Sequence, residues 1–543
     1  MIPIVDLFAG PGGLNEGFSS VGEQDGRPVF TTVASFEMNK YAHGTLLLRT
    51  AYRIMKRGAG VPSAYYRYIQ GELPWEDFST DPVVSDALAR ARSEVHLVEL
   101  GEDNRTLVDG TIRNALAESL DSPTDDWVLI GGPPCQAYSL AGRSRRKHDE
   151  EFENDHKHFL YKEYLHIIEK FRPTVFVMEN VKGLLSSTNK GDQTFDLIMS
   201  DLSEPSPGVE YEVRSLVVDE PVGQLNPRDF VIHAEDYGIP QKRHRVILLG
   251  IRADALERTS RVFLEPKDQV TVSDAISDLP SLRSTISPAR EDSPLAWTIL
   301  THEVTAILGR GFVAEPALVK PTKLIPGGPF LGNYVAPAPE SAYQKWILDP
   351  QVGGVTLHHT RSHMSEDIKR YGFLAAEAAR LGRAPKLDDL PGSLQPEHKN
   401  IGKANTPFVD RFRVQLADKP STTVVSHIAK DGHYYIHPDP SQMRSLTVRE
   451  AARLQTFPDN YFFTGSRTQQ YHQVGNAVPP LLAAQIAEKV AATLRIPAAV
   501  LDETIDSQSL CDAAQNMAAD GGQLTNEYVA AGTRASEVAV SAS

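Results

Sequence analysis

Residues 2–21 read IPIVDLFAGPGGLNEGFSSV, and this stretch decides the fold. Ile2–Phe8 has the length and apolar run of a short, fully buried strand, and AGPGG is a glycine turn. Leu14, Phe18 and Val21 then recur at helical spacing. Strand, glycine turn and helix in that order open an α/β unit. Further strands are expected near Val29–Phe36, at Trp127–Ile130, at Thr174–Met178 and at Val246–Gly250, with a helix over roughly 158–171. Strands alternating with helices predict an α/β, doubly wound, mostly parallel sheet covered on both faces. Ligands of such sheets bind at the carboxyl ends of the strands. The glycine turn, Glu37, Cys135 and Glu179 each fall at or just past such an end, so they predict one rim.

Composition bounds the rest. With 543 residues, 41% hydrophobic and 23% charged, the chain has the makeup of a soluble protein of several domains. No run of about 18 apolar residues is present, so no membrane association is expected. MIPIVDLF leads straight into the glycine turn, so no signal peptide is expected and the location should be the cytoplasm or nucleoid. The two cysteines, Cys135 and Cys511, exclude a disulfide framework and a cysteine-rich zinc site, and no metal is expected. The formal charge of −15 argues at first against a polyanion partner. It is unevenly spread, because residues 497–543 hold seven acids against one arginine. Arg143, Arg145, Arg146, Lys147 and His148 form a local basic cluster eight residues after Cys135.

Residues 45–125 read as a less regular, basic and aromatic insert. Beyond Gly250 the pattern dissolves into a separate mixed domain over 253–410. A hairpin-like stretch returns at 421–437 with Asp431-Gly432 as its turn, followed by helical segments at 447–456 and 479–494. The final stretch, 497–543, lacks periodicity and is expected to be mobile.

Several residues stand out chemically. The glycine turn is either a nucleotide-binding loop or a tight strand-to-helix connection; Asn15 stands where the dinucleotide fingerprint needs its third glycine. Its amides can still receive a carboxylate, and Glu37 ends the second strand, where an acid commonly binds ribose hydroxyls. In GGPPCQAYS, Pro133-Pro134 makes a stiff platform that cannot join the sheet. A cysteine placed there is a poor buried hydrophobe and a better nucleophile, if something activates it. Glu179 ends a very apolar strand, where it is either a desolvated acid or the cap of the next turn. Gln241, Arg243 and Arg245 alternate onto one face of a strand, which is either functional or a solvated edge.

Together these segments resemble the cytosine-5 DNA methyltransferases. DLFAGPGG, SFEMNKYA, LIGGPPCQAYS, FVMENVKGLL, IPQKRHRVILLG, LTVREAARLQTFPD and QVGNAVPP occur in that family's order, over roughly half the chain. The resemblance implies a class I methyltransferase catalytic domain over 1–252 and 411–496 with a target-recognition domain over 253–410. It implies S-adenosyl-L-methionine as cofactor and duplex DNA as partner, with base flipping of the target cytosine. Cys135 is then the nucleophile that adds to C6, Glu179 the residue on the N3/N4 edge, and Arg243 and Arg245 organise the base and thiol. For the cofactor it implies Phe8 and Met38 beside the adenine, Gly10, Gly12, Gly13 and Leu14 at the methionine end, and Glu37 on the ribose. Pro134, Leu160, Asn476 and Ala477 line the same pocket, with Asp103 as the acid near the adenine amino group. Arg411, Arg413, Thr422 and Thr423 resemble the stretch that re-enters the catalytic face. A role in restriction–modification or phage defence, with a cognate endonuclease or defence proteins as partners, is in keeping. The rivals are an RNA cytosine-5 methyltransferase acting on tRNA, an inactive DNA-binding paralogue, and a nicotinamide-dependent oxidoreductase, which the broken glycine pattern weakens.

Overall fold

A computed structural model describes residues 1–24, 27–122, 125–134, 160–186, 188–189, 192–309, 324–396 and 411–494. Cys135, the basic cluster 143–148, Cys511 and the tail 497–543 lie outside these residues. Eight strands form the main sheet: β1 (Ile2–Leu7), β2 (Phe30–Glu37), β3 (Val95–Leu97), β4 (Val128–Gly131), β5 (Val175–Val181), β6 (Tyr211–Arg214), β7 (Val231–His233) and β8 (His244–Arg252). Their order is β6-β8-β5-β4-β1-β2-β3, with β7 also paired to β8. Strands β3, β2, β1, β4 and β5 are mutually parallel, whereas β8 runs antiparallel to β5, β6 and β7. The expected α/β sheet is present.

Both faces are covered, which is why the central strands are largely apolar on both faces rather than alternating. One face packs Ile4, Ile130, Val177 and Leu249 against helix α1 (Gly13–Ser20) and a C-terminal helix over Pro480–Thr493. The other packs Val5, Leu129, Phe176 and Leu248 against helices over Arg105–Ser119 and Leu160–Phe171. The C-terminal helix approaches α1 closely because Gly13 and Gly17 have no side chain; a Cβ on Gly17 would run into Ala483.

The segment 45–125 is more regular than its sequence suggests. Helix α2 (Lys40–Arg57) is capped by the Asn39 carboxamide, which accepts from the amides of Tyr41 and Ala42. A helix over Pro82–Glu94 starts on Asp81, whose carboxylate accepts from Val83 and Val84. The segment also donates β3 to the sheet edge. Its pattern misleads because α2 buries polar Thr45, Arg49, Thr50 and Arg53 among its apolar residues.

The expected hairpin at 421–437 is also corrected. Ser421–Thr422 pairs in parallel with Gln241–Lys242, and Ser426–Ala429 turns as a short 3-10 helix. A distant partner captures the first half of the stretch: the Gln241 carboxamide oxygen accepts the Val424 amide at 3.0 Å. Gly432 does make a turn, at φ 74°, but Ile436 beyond it bridges Val414 and Ser445. Residues on either side of position 410 share a core, since Ile276, Ile347 and Leu357 pack with Val424, Tyr435, Ala451 and Phe457. No helix among the described residues is long and apolar enough to cross a membrane.

Three buried histidines tie this shared region together. His358 bonds the Thr447 hydroxyl and the Pro280 carbonyl, each at 2.9 Å. His363 lies 3.1 Å from the Ser445 hydroxyl, and His437 lies 3.5 Å from a Glu450 carboxylate already paired with Arg444. Burial lowers their pKa values, to about 4 for His358 and about 3 for His363 and His437. They stay neutral in the folded state, whereas the unfolded chain takes up protons below about pH 6.5. The unfolded state then binds more protons, so stability is full above about pH 6.5 and is lost as pH falls toward 4. Hydrogen exchange of the peptides around 356–364 and 432–446 should therefore accelerate between about pH 7 and pH 5, after correction for intrinsic rates. Unchanged protection there would contradict the neutral-histidine assignment.

Candidate active site

The sheet register builds the site. Leu7 pairs with Phe36 on one side and Gly131 on the other, and Gly131 pairs with Met178. The next residues, Phe8, Glu37, Gly132 and Glu179, therefore stand in one row along the carboxyl rim. Three of the four predicted groups come together as expected, and Cys135 follows Gly132 by three residues in sequence.

The chain leaves β1 through left-handed backbone at Phe8, φ 56°, and then at Gly10 and Gly12, φ 58° and 96°. A Cβ on Gly10 would meet nothing within 4 Å, so this glycine faces open space. Gly12 is hemmed in, since its Cβ would lie 2.6 Å from Leu46 and 3.1 Å from the Tyr461 hydroxyl. Gly13 abuts the Val478 carbonyl, which brings Asn476, exposed, and Ala477, buried, beside the loop. Leu14 is buried in α1.

Glu37 links the glycine turn to the start of α2. Its Oε2 accepts the Gly10 amide at 2.8 Å and its Oε1 the Asn39 amide at 2.6 Å. Burial raises its pKa, and the bonds from Asn39, Gly10 and Met38 oppose the rise. Beside it Met38 is 60% exposed, an uncovered apolar side chain on the rim. Phe8, Pro134 and Leu160 are each partly buried. Asp103 is exposed on the 3-10 turn Glu102–Asn104 beyond β3.

At the far end of the rim Glu179 meets Arg245, Nε to Oε1, at 2.8 Å. Its other oxygen would lie 3.0 Å from a Cβ on Gly132, so the carboxylate overhangs the loop that leads to Cys135. Asn180 Nδ2 donates to the Pro133 carbonyl at 3.3 Å. Arg243 is 2% exposed and points the other way. Its Nη1 donates to the carbonyls of Val424 at 2.9 Å and Gly475 at 3.3 Å. Burial, with Arg245 beside it, lowers the Arg243 pKa to about 9, which leaves it a cation at neutral pH. The two arginines thus separate: Arg245 holds a rim carboxylate, and Arg243 ties β8 to the C-terminal segment.

One set of residues escaped sequence reading. Tyr461, fully buried, donates its hydroxyl to the Pro11 carbonyl inside the glycine loop. The Arg49 guanidinium lies 4.7 Å from the Tyr461 ring and pairs with Glu16 of α1, Nε to Oε2, at 2.9 Å. Burial alone would raise the Glu16 pKa, but Arg49 and Arg53 hold it down at about 2. Partners 33 and 450 positions apart leave no local pattern to find.

A doubly wound sheet with a glycine loop after β1, a rim acid at the end of β2 and a second acid near the end of β5 defines a class I methyltransferase. Comparison with known proteins narrows the class. The sequence profile of the C-5 cytosine-specific DNA methylase family matches residues 99–307 and 344–492. The type II methyltransferase M.Bpa9945I of Bacillus paralicheniformis is 33% identical over 502 residues, covering 90% of this chain and 98% of that one. The DNA (cytosine-5-)-methyltransferase M.ApeKI of Aeropyrum pernix is 27% identical, covering 71% and 86%. A solved structure described as a DNA modification methyltransferase encoded within a prophage (E. coli) matches at a TM-score of 0.51 and 18% identity, covering 91% of this chain and 100% of that one. This chain belongs to the C-5 cytosine-specific DNA methylase family, and it is an enzyme that methylates DNA cytosine at C5.

The Tyr461 hydroxyl holds the glycine loop at Pro11. Tyr461→Phe removes only that hydrogen bond, worth about 1 kcal/mol. Calorimetric titration should show donor affinity falling by about three- to ten-fold; unchanged affinity would detach the hydroxyl from the loop's function.

Proposed function

We propose that the enzyme transfers a methyl group from S-adenosylmethionine to a cytosine flipped out of duplex DNA, through a transient bond between Cys135 and C6. The observation that carries this reading is the Arg245–Glu179 pair overhanging Gly132, three residues before Cys135. An acid fixed beside that loop has the position needed to grip a pyrimidine edge presented to the thiol.

The cofactor reading rests on the other end of the rim. Open space at Gly10, the uncovered Met38 side chain and the Glu37 carboxylate together suit an adenosyl group with a methionine tail. Both Glu37 oxygens accept backbone amides, and the carboxylate keeps acceptor capacity for a ribose hydroxyl. Phe8 and Met38 flank the base, Gly12, Gly13 and Leu14 with Asn476 and Ala477 enclose the methionine end, and Pro134 and Leu160 complete the wall. Asp103 is retained as the acid for the adenine amino group. When bound, the cofactor supplies an electrophilic methyl on a sulfonium sulfur.

The chain's own groups do the remainder. Cys135 as a thiolate attacks C6, and the electron pair displaced from the C5–C6 bond makes C5 a nucleophile. Glu179 hydrogen-bonds the N3/N4 edge and steadies the charge that develops there, and Arg245 fixes the Glu179 carboxylate. Arg243 acts at a distance, by holding β8 against residues 424 and 475. After C5 is methylated, loss of its proton expels the thiolate and restores the aromatic ring.

Residues 253–410 are assigned to target recognition and 411–496 to the return into the catalytic unit. Arg413, whose Nη1 donates to the Tyr434 hydroxyl at 3.2 Å, and exposed Arg411 are suited to phosphates or base edges. The type II methyltransferase names of relatives favour a restriction–modification role beside a cognate endonuclease.

A duplex carrying 5-fluorocytosine in the target context should become covalently attached to the wild-type enzyme in the presence of S-adenosylmethionine, because fluorine cannot leave as the proton does. The adduct should resist denaturing electrophoresis and be absent with Cys135→Ser, which should also abolish turnover while keeping cofactor affinity within a few-fold. A Cys135→Ser enzyme that still methylates would overturn the covalent route. Glu37→Ala should act mainly through cofactor binding, seen as a raised KM for S-adenosylmethionine; a change confined to kcat would remove Glu37 from the ribose site.

A further inference from the structure

At the sheet edge β7 pairs with the start of β8: Val231 with Val246, Ile232 with Arg245, His233 with His244. The two imidazoles of the last pair stack, with ring centroids 4.0 Å apart and planes 13° from parallel. The chain then turns through a 3-10 helix at Ala234–Asp236, anchored by the Ala234 amide on the Arg243 carbonyl at 3.2 Å. This turn carries Glu235 back over the histidines, and its Oε1 lies 2.8 Å from His244 Nε2.

The second oxygen of that carboxylate is the unusual feature. Glu235 is 9% exposed, and its Oε2 is buried with no hydrogen-bond partner among the described residues. Burying a carboxylate oxygen unpaired is costly unless a cation or donor satisfies it. A donor atom from each of His233, Glu235 and His244 lies within 4.8 Å of the other two. Asp236 adds negative charge nearby, its Oδ2 3.9 Å from His233 Nδ1.

We propose that His233, Glu235 and His244 form a binding site for a divalent transition-metal ion of the Zn²⁺ type, which clamps β7 to β8. Two imidazoles and one carboxylate suit zinc and its neighbours, whereas Ca²⁺ and Mg²⁺ favour oxygen ligands throughout. Zinc holds such donors at about 2.0–2.2 Å, so the three must draw closer than they stand. His233 is free to do this, because its side chain is 47% exposed and can rotate off the stack without moving the backbone. His244, at 30% exposed, leaves the ion a route from solvent and room for a water as fourth ligand. Arg245, next along β8, is the residue that holds Glu179, so the clamp steadies the strand on which the rim ion pair depends. The metal site stands apart from the donor pocket, and the proposal is independent of the covalent mechanism.

The test uses the full chain, stripped of metal by a chelator and then titrated with Co²⁺ and Zn²⁺. One equivalent of Co²⁺ should bind with the visible absorption of a low-coordinate site, Zn²⁺ should displace it, and Zn²⁺ should raise the unfolding midpoint of the wild type. Glu235→Gln and His244→Gln should lose the absorption. His233→Asn changes a half-exposed side chain, so the fold is retained, and affinity should fall by about ten-fold or more. No stoichiometric uptake by the wild type, or uptake unchanged in His233→Asn, would overturn the proposal.

Discussion

The parallel register of four strand ends is the constraint on which the site depends. Leu7 pairs with Phe36 and Gly131, and Gly131 pairs with Met178, so these positions stand level across the four strands. A parallel ladder slipped by one residue would turn every buried side chain to the opposite face. With Val5, Leu129 and Phe176 packed on one face and Ile4, Ile130 and Val177 on the other, no slipped register keeps both cores intact. The same burial that fixes the sheet therefore fixes where Phe8, Glu37, Gly132 and Glu179 stand. Function inherits its geometry from packing.

The second constraint is chain closure. Residues from the two ends of the described chain meet at the glycine loop: Val478 abuts Gly13, the Tyr461 hydroxyl reaches Pro11, and the helix over Pro480–Thr493 lies against α1. Arg243 adds a tie from β8 to Val424 and Gly475. A long excursion through residues 253–410 thus separates segments that must be in contact. Such contacts require the intervening region to place its two ends close together, and the shared core of Ile276, Leu357, Val424 and Phe457 does so. The region between β8 and the C-terminal helices is accordingly a load on loop closure.

What the sequence made legible was local. A buried strand, a glycine turn and an apolar helix stripe each announce themselves within about ten residues, and the rim could be read because each of its groups lies at or near the carboxyl end of an apolar strand. The misreadings arose where long-range pairing decides. STTVVSHIAKDGHYYIH alternates like a hairpin, yet Gln241 and Lys242 capture its first strand from 180 positions away. Helix α2 looks irregular because Arg49 and Arg53 are buried in it, and they are tolerated there because Glu16 arrives from α1 to pair with both, Glu94 with Arg53 and Asn460 with Arg49. The separate roles of Arg243 and Arg245 were hidden for the same reason. Alternation places both on one face, but only the fold gives one a carboxylate and the other two carbonyls.

Charge follows a similar logic. A formal charge of −15 runs against the polyanionic character of DNA, but many of the chain's cations lie within the protein. Arg49, Arg243, Arg444, Arg449 and Arg453 are each almost wholly buried and spend their donors on carbonyls or carboxylates. Their opposite numbers Glu16, Glu450 and Asp459 are buried with them, so these pairs cancel inside the fold and contribute little to the field outside. Any attraction for DNA must then come from cations at the surface, such as Lys242 near the re-entrant segment, and from the basic cluster 143–148 that follows Cys135 in sequence. Net charge is a poor guide to a partner when so much of it is paired in the core, and local clusters decide where a polyanion settles.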